Sequence, residues 1–280
     1  TLIELIPYPV TVGFTSGIAV VIATFQIKDF FGLSIENFSG SYLDKIYLLF
    51  ISFPTLKTSE LLTGLFTLTL LILWQKTKSK IPSALIALSF STVIVAFFNY
   101  YIPNMDISTI ASTFQYSING LEGNGIPPIP LQFSLPWSYL KMEEINLDLF
   151  YALLPHSIAI AILGALESLL CAVISDGMTG NKTDPNKELI GQGITNMIVP
   201  FFGGIPATAA IARTVVNIKS GGTSKLSSVV HSLFILVSIT FLAQYLSYLP
   251  MASLSALLFI VAWNMSEVKH FVNIIKVAPK

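Results

Sequence analysis

The sequence predicts an all-α protein that crosses a membrane several times. Three observations carry that expectation. Apolar residues fill 53% of the 280 positions and charged residues only 11%, against about 25% charged in an ordinary soluble domain. Several apolar stretches approach the roughly 20 residues that a helix needs to cross the hydrocarbon core. Most charges lie in the loops between those stretches or at their ends. A soluble α/β core would not leave so little charge over this length.

Other classes lose ground on composition. Net charge is zero and no basic patch points to nucleic acid. The single cysteine, Cys171, excludes an internal disulfide and a cysteine-rich metal site. There is no Gly-x-Ser-x-Gly elbow, His-Glu-x-x-His pair or Gly-x-x-x-x-Gly-Lys loop, so neither an enzyme nor a cofactor is expected. The chain opens at Thr1 in mid-flow, without a signal peptide, and stops just after an apolar segment. It reads as a piece of a longer protein.

The elements follow in order. After a short lead with two prolines, Val10 to Gln26 forms the first span. Its Gly13-Phe-Thr-Ser-Gly17 run is small enough for close helix packing. Lys28 to Lys57 is mixed, with an amphipathic piece from Tyr42 to Ser52, so it is either a loop with an interfacial helix or a short tilted span. Glu60 to Trp74 and Ile81 to Phe98 are the second and third spans. The basic loop Gln75 to Lys80 between them marks the cytoplasmic side, because Lys and Arg concentrate in short inner loops. Lys28, Lys45 and Lys57 then fall on the outer side and run against that rule. Asn99 to Asp148 becomes a long outer loop, acidic and rich in Pro and Gly, with an ordered but irregular course.

Leu149 to Ile174 is the fourth span and runs inward. Glu188 to Phe201 goes outward and is broken by Gly203-Gly-Ile-Pro206, since Pro cannot continue a helix and Gly readily leaves it. A half-helix is expected to start near Pro206 and to run to about Lys219. Leu226 to Tyr245 goes outward, and Met251 to Trp263 returns to a lysine-bearing tail.

Two groups of residues carry candidate chemistry. A helix N-terminus at membrane depth attracts an anion through its free N–H groups and its dipole. The N–H groups of Thr208, Ala209 and Ala210 are expected to point into such a site. Ala212 helps to keep it open, and Arg213 attracts the anion or pairs with a carboxylate. The competing reading is a packed Ala-rich helix with Arg213 snorkelling to the cytoplasmic face. On the fourth span Glu167, Cys171 and Ser175 follow at intervals of four and share a face. An ionisable group inside an apolar span is a functional candidate by default. Glu167 can carry a proton, hold a cation, or sit paired with Arg213. His156 and His231 read as packed, hydrogen-bonded histidines rather than metal ligands. Asp176, Thr179 and Asn186 read as caps or loop-shaping residues.

These words resemble the SulP anion-transporter family, the solute carrier 26 family of animals. The likeness rests on Ala165-Leu-Glu-Ser-Leu-Leu-Cys-Ala-Val-Ile-Ser-Asp-Gly-Met-Thr-Gly180, on Glu188-Leu-Ile-Gly-Gln-Gly193 and on Phe202-Gly-Gly-Ile-Pro-Ala-Thr-Ala-Ala-Ile-Ala-Arg-Thr214. Val10 to Ile18 and Gln26 to Phe30 add to it. Gly123-Asn-Gly-Ile-Pro127 and Val261-Ala-Trp-Asn-Met-Ser-Glu267 are similar to its bacterial C4-dicarboxylate transporters.

The resemblance implies a fold of two inverted seven-segment repeats. Residues 1–98 and 250–280 would be gate helices, 99–148 an extracytoplasmic loop, and 149–249 the core, with a broken half-helix near 203–219. It also implies earlier helices, a last helix and a cytoplasmic STAS domain outside this chain, a homodimer, and a bacterial inner-membrane location. The implied activity is proton-coupled uptake of succinate, fumarate or aspartate, with sulfate or bicarbonate as alternatives. A non-transporting membrane scaffold or sensor is the competing class.

Overall fold

The computed structural model describes residues 8–77, 79, 81–102, 105–118, 121–128, 132–139 and 146–266. Lys78 and Lys80 of the basic loop, Lys141 of the outer loop, and Lys269, Lys276 and Lys280 of the tail lie outside them. The helices are α1 (Tyr8–Phe31), α2 (Tyr42–Ser52), α3 (Thr58–Gln75), α4 (Ser83–Tyr101) and the one-turn α5 (Ile110–Thr113). A hairpin of β1 (Gln115–Ile118) and β2 (Leu121–Asn124) follows. Then come α6 (Leu147–Thr179), α7 (Pro185–Ile198), α8 (Ile211–Lys219), α9 (Leu226–Val237), α10 (Ala243–Leu246) and α11 (Met251–Met265). A π-helical stretch, Ser238–Leu242, joins α9 to α10. Helices α3, α4, α6 and the run Leu226–Leu246 are each long and apolar enough to cross a membrane, and α11 is apolar but shorter.

The chain divides into two compact units. One contains Val12–Pro128 and Leu236–Lys280. Its packing is inside-out relative to a water-soluble domain. The buried face of α3 is Thr63, Gly64, Thr67 and Leu71, while Leu62, Leu65, Phe66 and Leu73 point outward. Likewise α4 buries Ala87, Ser91 and Val95 and exposes Leu85, Phe90, Val93 and Phe97. Small residues let helices approach closely where lipid supplies no hydrophobic drive. Gly64 shows how close: a Cβ there would lie 2.7 Å from the Phe30 ring. Phe30, Leu71, Ala87 and Ala256 form the apolar centre.

Hydroxyl groups stitch the same helices together. Thr67 Oγ1 pairs with Ser253 Oγ at 2.9 Å and with Ser91 Oγ, and Ser253 reaches Ser91 at 2.9 Å. All three residues are at most 1% exposed. Each such bond inside a membrane protein contributes roughly 0.6 kcal/mol. Ser255 Oγ donates to Gln26 Oε1 at 3.2 Å and ties α11 to α1.

The outer loop expected to be irregular contains regular structure. β1 and β2 pair antiparallel, Gln115 with Asn124 and Ile118 with Leu121. Asn99 pins the loop where α4 ends, accepting the N–H of Ile107 at 3.1 Å and donating to its carbonyl at 2.9 Å. Met251 N–H donates to Ser108 O, and Ile110 N–H to Leu249 O, so the loop is fastened to the start of α11.

The other unit contains Ile129–Ile235 with the opening residues Thr1–Thr11. Its axis is α6, whose 33 residues continue through Pro155. Ile158, Ile160 and Ile162 are all exposed, while Ser168, Leu169 and Cys171 are buried, so lipid-facing and packed stretches succeed one another along one helix. Phe133 stacks on Phe201 at 5.8 Å and Trp137 meets the same ring edge-on.

Candidate functional site

The site is assembled from α6, α7, α8 and the chain that enters α8. Asp184 caps α7 by accepting the N–H groups of Asn186 and Lys187, and Pro185 opens its first turn. Asp176 holds the preceding loop by accepting the N–H and the hydroxyl of Thr183, both at 2.7 Å. The cap is therefore Asp184 rather than Asn186. After Ile198 one 3₁₀ turn (Val199–Phe202) ends at Gly203, whose φ of 74° is left-handed. Glycine takes that conformation at no steric cost.

The helix expected from Pro206 begins instead at Ile211. Residues 204–210 have no regular structure. The reason is a set of side-chain bonds that occupies their backbone. Ala207 N–H donates to Asn196 Oδ1 at 3.0 Å, and Ala207 O accepts from Asn196 Nδ2 at 3.0 Å and from Gln192 Nε2. Thr208 Oγ1 donates to Gly164 O at 2.9 Å and lies 2.9 Å from Ser168 Oγ. A peptide held in this way by α6 and α7 cannot also enter a helical ladder.

The free N–H groups of α8 are consequently those of Ile211, Ala212 and Arg213, because Thr214 N–H already bonds Ala210 O. Thr208, Ala209 and Ala210 precede that turn and are not its donors. The N-cap, Ala210, makes no side-chain cap bond. Cys171 Sγ lies 3.2 Å from Thr214 Oγ1 and joins α6 to α8.

Arg213 is the only arginine of the chain. Its Nη2 contacts His231 Nε2 on α9. A guanidinium has donors only, so the imidazole accepts at Nε2. Among the described residues no ion pair joins Arg213 to Glu167, and the pair that does form is Lys187 with Asp184 at 3.6 Å. Glu167 is half-buried on α6, one residue before Ser168, and Arg213 is exposed. His156 is exposed on α6 rather than packed. No cluster of three or more His, Cys, Asp or Glu side chains suited to a metal ion occurs among the described residues.

Three residues enter this account that the sequence reading gave no part in it: Ser168, Gln192 and Asn196. Gln192 and Asn196 are four apart and share a face of α7. That amide pair, placed just upstream of the Gly/Pro break, is the signal that points to a clamp.

The sequence profile of the sulfate permease family matches residues 1–280. YvdB of Bacillus subtilis (strain 168), assigned to sulfate transport by its name, is 41% identical over 279 residues, covering 98% of this chain and 48% of YvdB. The bicarbonate transporter BicA of Picosynechococcus sp. is 30% identical over 279 residues, covering 97% of this chain and 45% of BicA. The chain thus spans about half the length of the curated relatives it matches. The solved transmembrane domain of a cyanobacterial BicA superposes with a TM-score of 0.72 at 25% identity, over 100% of this chain and 64% of that one. The inward-facing murine Solute Carrier 26 family member A9 gives 0.72 at 20% identity over 98% and 42%, a likeness of fold. With the whole length matched by one profile and a relative at 41% identity, the chain belongs to the sulfate permease family.

Proposed function

We propose that this protein is a secondary active transporter of small oxyanions and that the anion docks at the N-terminus of α8. One observation carries the reading. The non-helical stretch 204–210 runs into a nine-residue helix whose N-cap supplies no side-chain acceptor, so its first N–H groups are left for a ligand. Ala209 and Ala210 are small and leave space there, Thr208 sets the backbone, and Arg213 supplies the only guanidinium. Glu167 is the proton-coupling group, with Cys171 below it on the same face of α6 and bonded to Thr214. The names of the relatives favour sulfate or bicarbonate as cargo. The words Gly123-Asn-Gly-Ile-Pro127 and Val261 to Glu267 favour a C4-dicarboxylate. A homodimer, a downstream STAS domain and an inner-membrane location complete the proposal.

The test is uptake of labelled sulfate, bicarbonate and succinate by the full-length protein in proteoliposomes, with and without an inward proton gradient. Saturable uptake of one of them, driven by the gradient, is the expected result. Arg213→Ala should weaken the anion by roughly ten- to hundredfold, the worth of a bond to a charged group. Glu167→Gln should leave binding in place and abolish the response to the gradient. Uptake of none of the three, or a Glu167→Gln variant that still follows the gradient, moves the protein to the scaffold class or removes Glu167 from the coupling.

A further inference from the structure

The buried charge in the unit built on α1, α3, α4 and α11 has no part in the proposed transport site. Glu60, in the first turn of α3, is 1% exposed, the one charged side chain so buried among the described residues. Its Oε1 accepts the N–H of Ser108 at 2.6 Å. Its Oε2 is buried and has no hydrogen-bond partner. A buried carboxylate oxygen without a partner is costly unless something fills the place beside it. Glu60 lines a cavity of about 150 Å³ whose wall also includes Asp29, Gly32, Ser34, Ser108, Lys28 and Lys57.

The place is shaped for the carboxylate. Gly32 ends α1 with a φ of 62°, and a Cβ there would lie 2.8 Å from Glu60 Cβ, so a bare backbone makes room for the side chain. The N-terminus of α3 favours the ionised form, and the carbonyl end of α1 favours a positive charge nearby. Asp29, in the last turn of α1, adds a second carboxylate. Of the two lysines on the wall, Lys28 is drawn over the Phe38 ring, with Nζ 5.7 Å from its centroid. Lys57 is exposed and forms no ion pair with Glu60 among the described residues.

We infer that this cavity is a binding site for a small monovalent cation, taken by Glu60 Oε2 and the Asp29 carboxylate with oxygen atoms of Ser34 and Ser108. Two carboxylates against two lysines leave the walls without net charge. The cation is therefore held weakly and exchanges readily, as a regulatory or structural ion would.

The experiment follows the thermal unfolding midpoint of the full-length protein in detergent at neutral pH. Sodium chloride is titrated against N-methyl-D-glucamine chloride at constant ionic strength. A ligand that binds only the native state raises the midpoint saturably. The midpoint should rise with sodium. Glu60→Gln should raise the half-saturating concentration at least tenfold, and Asp29→Asn should raise it several-fold. Lys57→Ala should lower it, because a like charge is removed, whereas an anion site would respond in the opposite sense. If Glu60→Gln does not fold, Asp29→Asn and Lys57→Ala carry the test. A midpoint indifferent to sodium overturns the inference. So does a response to pH alone, which would make Glu60 a proton site, or a tighter response in Asp29→Asn. The readout needs no transport, so it stands or falls apart from the anion site at α8.

Discussion

Asn196 and Gln192 do for the backbone of Ala207 what a neighbouring strand would do. Asn196 alone satisfies both the N–H and the carbonyl, each at 3.0 Å, and Gln192 adds a second donor to the carbonyl. Ser168 and Thr208 then fix the next residue to α6. The anion site proposed at Ile211 to Arg213 is thus positioned by amide side chains that need not touch the anion. Asn196→Ala should leave the Ala207 N–H without its side-chain partner while Gln192 still donates to the carbonyl, a loss of about 0.5–1.5 kcal/mol in this exposed stretch. The expected outcome is a roughly tenfold rise in the KM for the transported anion, with a smaller change in maximal rate. Asn196→Asp keeps the acceptor for the N–H and loses the donor, so it should fall between the two. Equal kinetics in all three proteins would remove the clamp from the account of binding.

At the scale of elements, α2 shows how side-chain caps fix the start of a short helix that buries little more than Leu49. Ser41 caps it in a capping box: its hydroxyl accepts the Asp44 N–H, and the Asp44 carboxylate accepts the Ser41 hydroxyl at 2.7 Å and the Ser41 N–H at 2.9 Å. Those bonds hold the Asp44 carboxyl below its ordinary range, the hydroxyl bond contributing most. A depressed carboxyl adds stability that is complete above the ordinary carboxylate range and disappears as pH falls through the lowered value. The protection of the α2 amides, measured against the intrinsic exchange rate at each pH, should therefore be complete at neutral pH and fall in acid, and Asp44→Asn should flatten that dependence. The same element explains what could be read in advance. The span from Tyr42 to Ser52 is legible because its apolar and polar residues alternate with helical period, and α3, α4 and α6 are legible because long apolar runs leave a helix few alternatives. The hairpin has its own signal in Asn119-Gly120 between its strands, the dipeptide that most favours a two-residue turn, but the Pro- and Gly-rich composition around it masks that signal. α8 starts five residues after Pro206, where the sequence pattern alone puts its onset. Gly203 and Pro206 announce a break, but where the helix resumes is decided by side-chain bonds to Asn196 on the preceding helix and to Gly164, which is distant in sequence.

For the whole molecule, many large apolar side chains face outward, while small residues and hydroxyl groups lie beside a few apolar ones in the helix contacts, as a lipid solvent allows. Leu62 is 56% exposed and Phe90 57%, while Thr67 and Ser253 are fully buried. Which way such a bundle faces is decided by its lysines. Lys76 sits where α3 ends, and Lys182, Lys187 and Lys225 sit in the loops assigned to the same side. The lysines that contradict this orientation, Lys28, Lys45 and Lys57, are partly accounted for. Lys45 stands 4.7 Å from the Phe25 ring centroid and Lys28 stands 5.7 Å from that of Phe38, so two of the three are engaged by aromatic faces rather than left as free charges. Such pairing lowers the demand that an outer lysine makes on lipid headgroups without changing the count on the inner side. The orientation is open to a direct check. Cys171 is 5% exposed and is the only cysteine, so Cys171→Ser gives a cysteine-free background that keeps a hydroxyl beside Thr214. In that background Ser138→Cys, in the outer loop, should react with a membrane-impermeant maleimide on intact cells. Ser79→Cys, in the basic loop, should react only after the cells are opened. Both positions are exposed in the fold, so a missing signal reads as sidedness rather than burial. The reverse pattern would invert every span, place the cation cavity beside Glu60 on the cytoplasmic side, and leave the packing within each unit untouched.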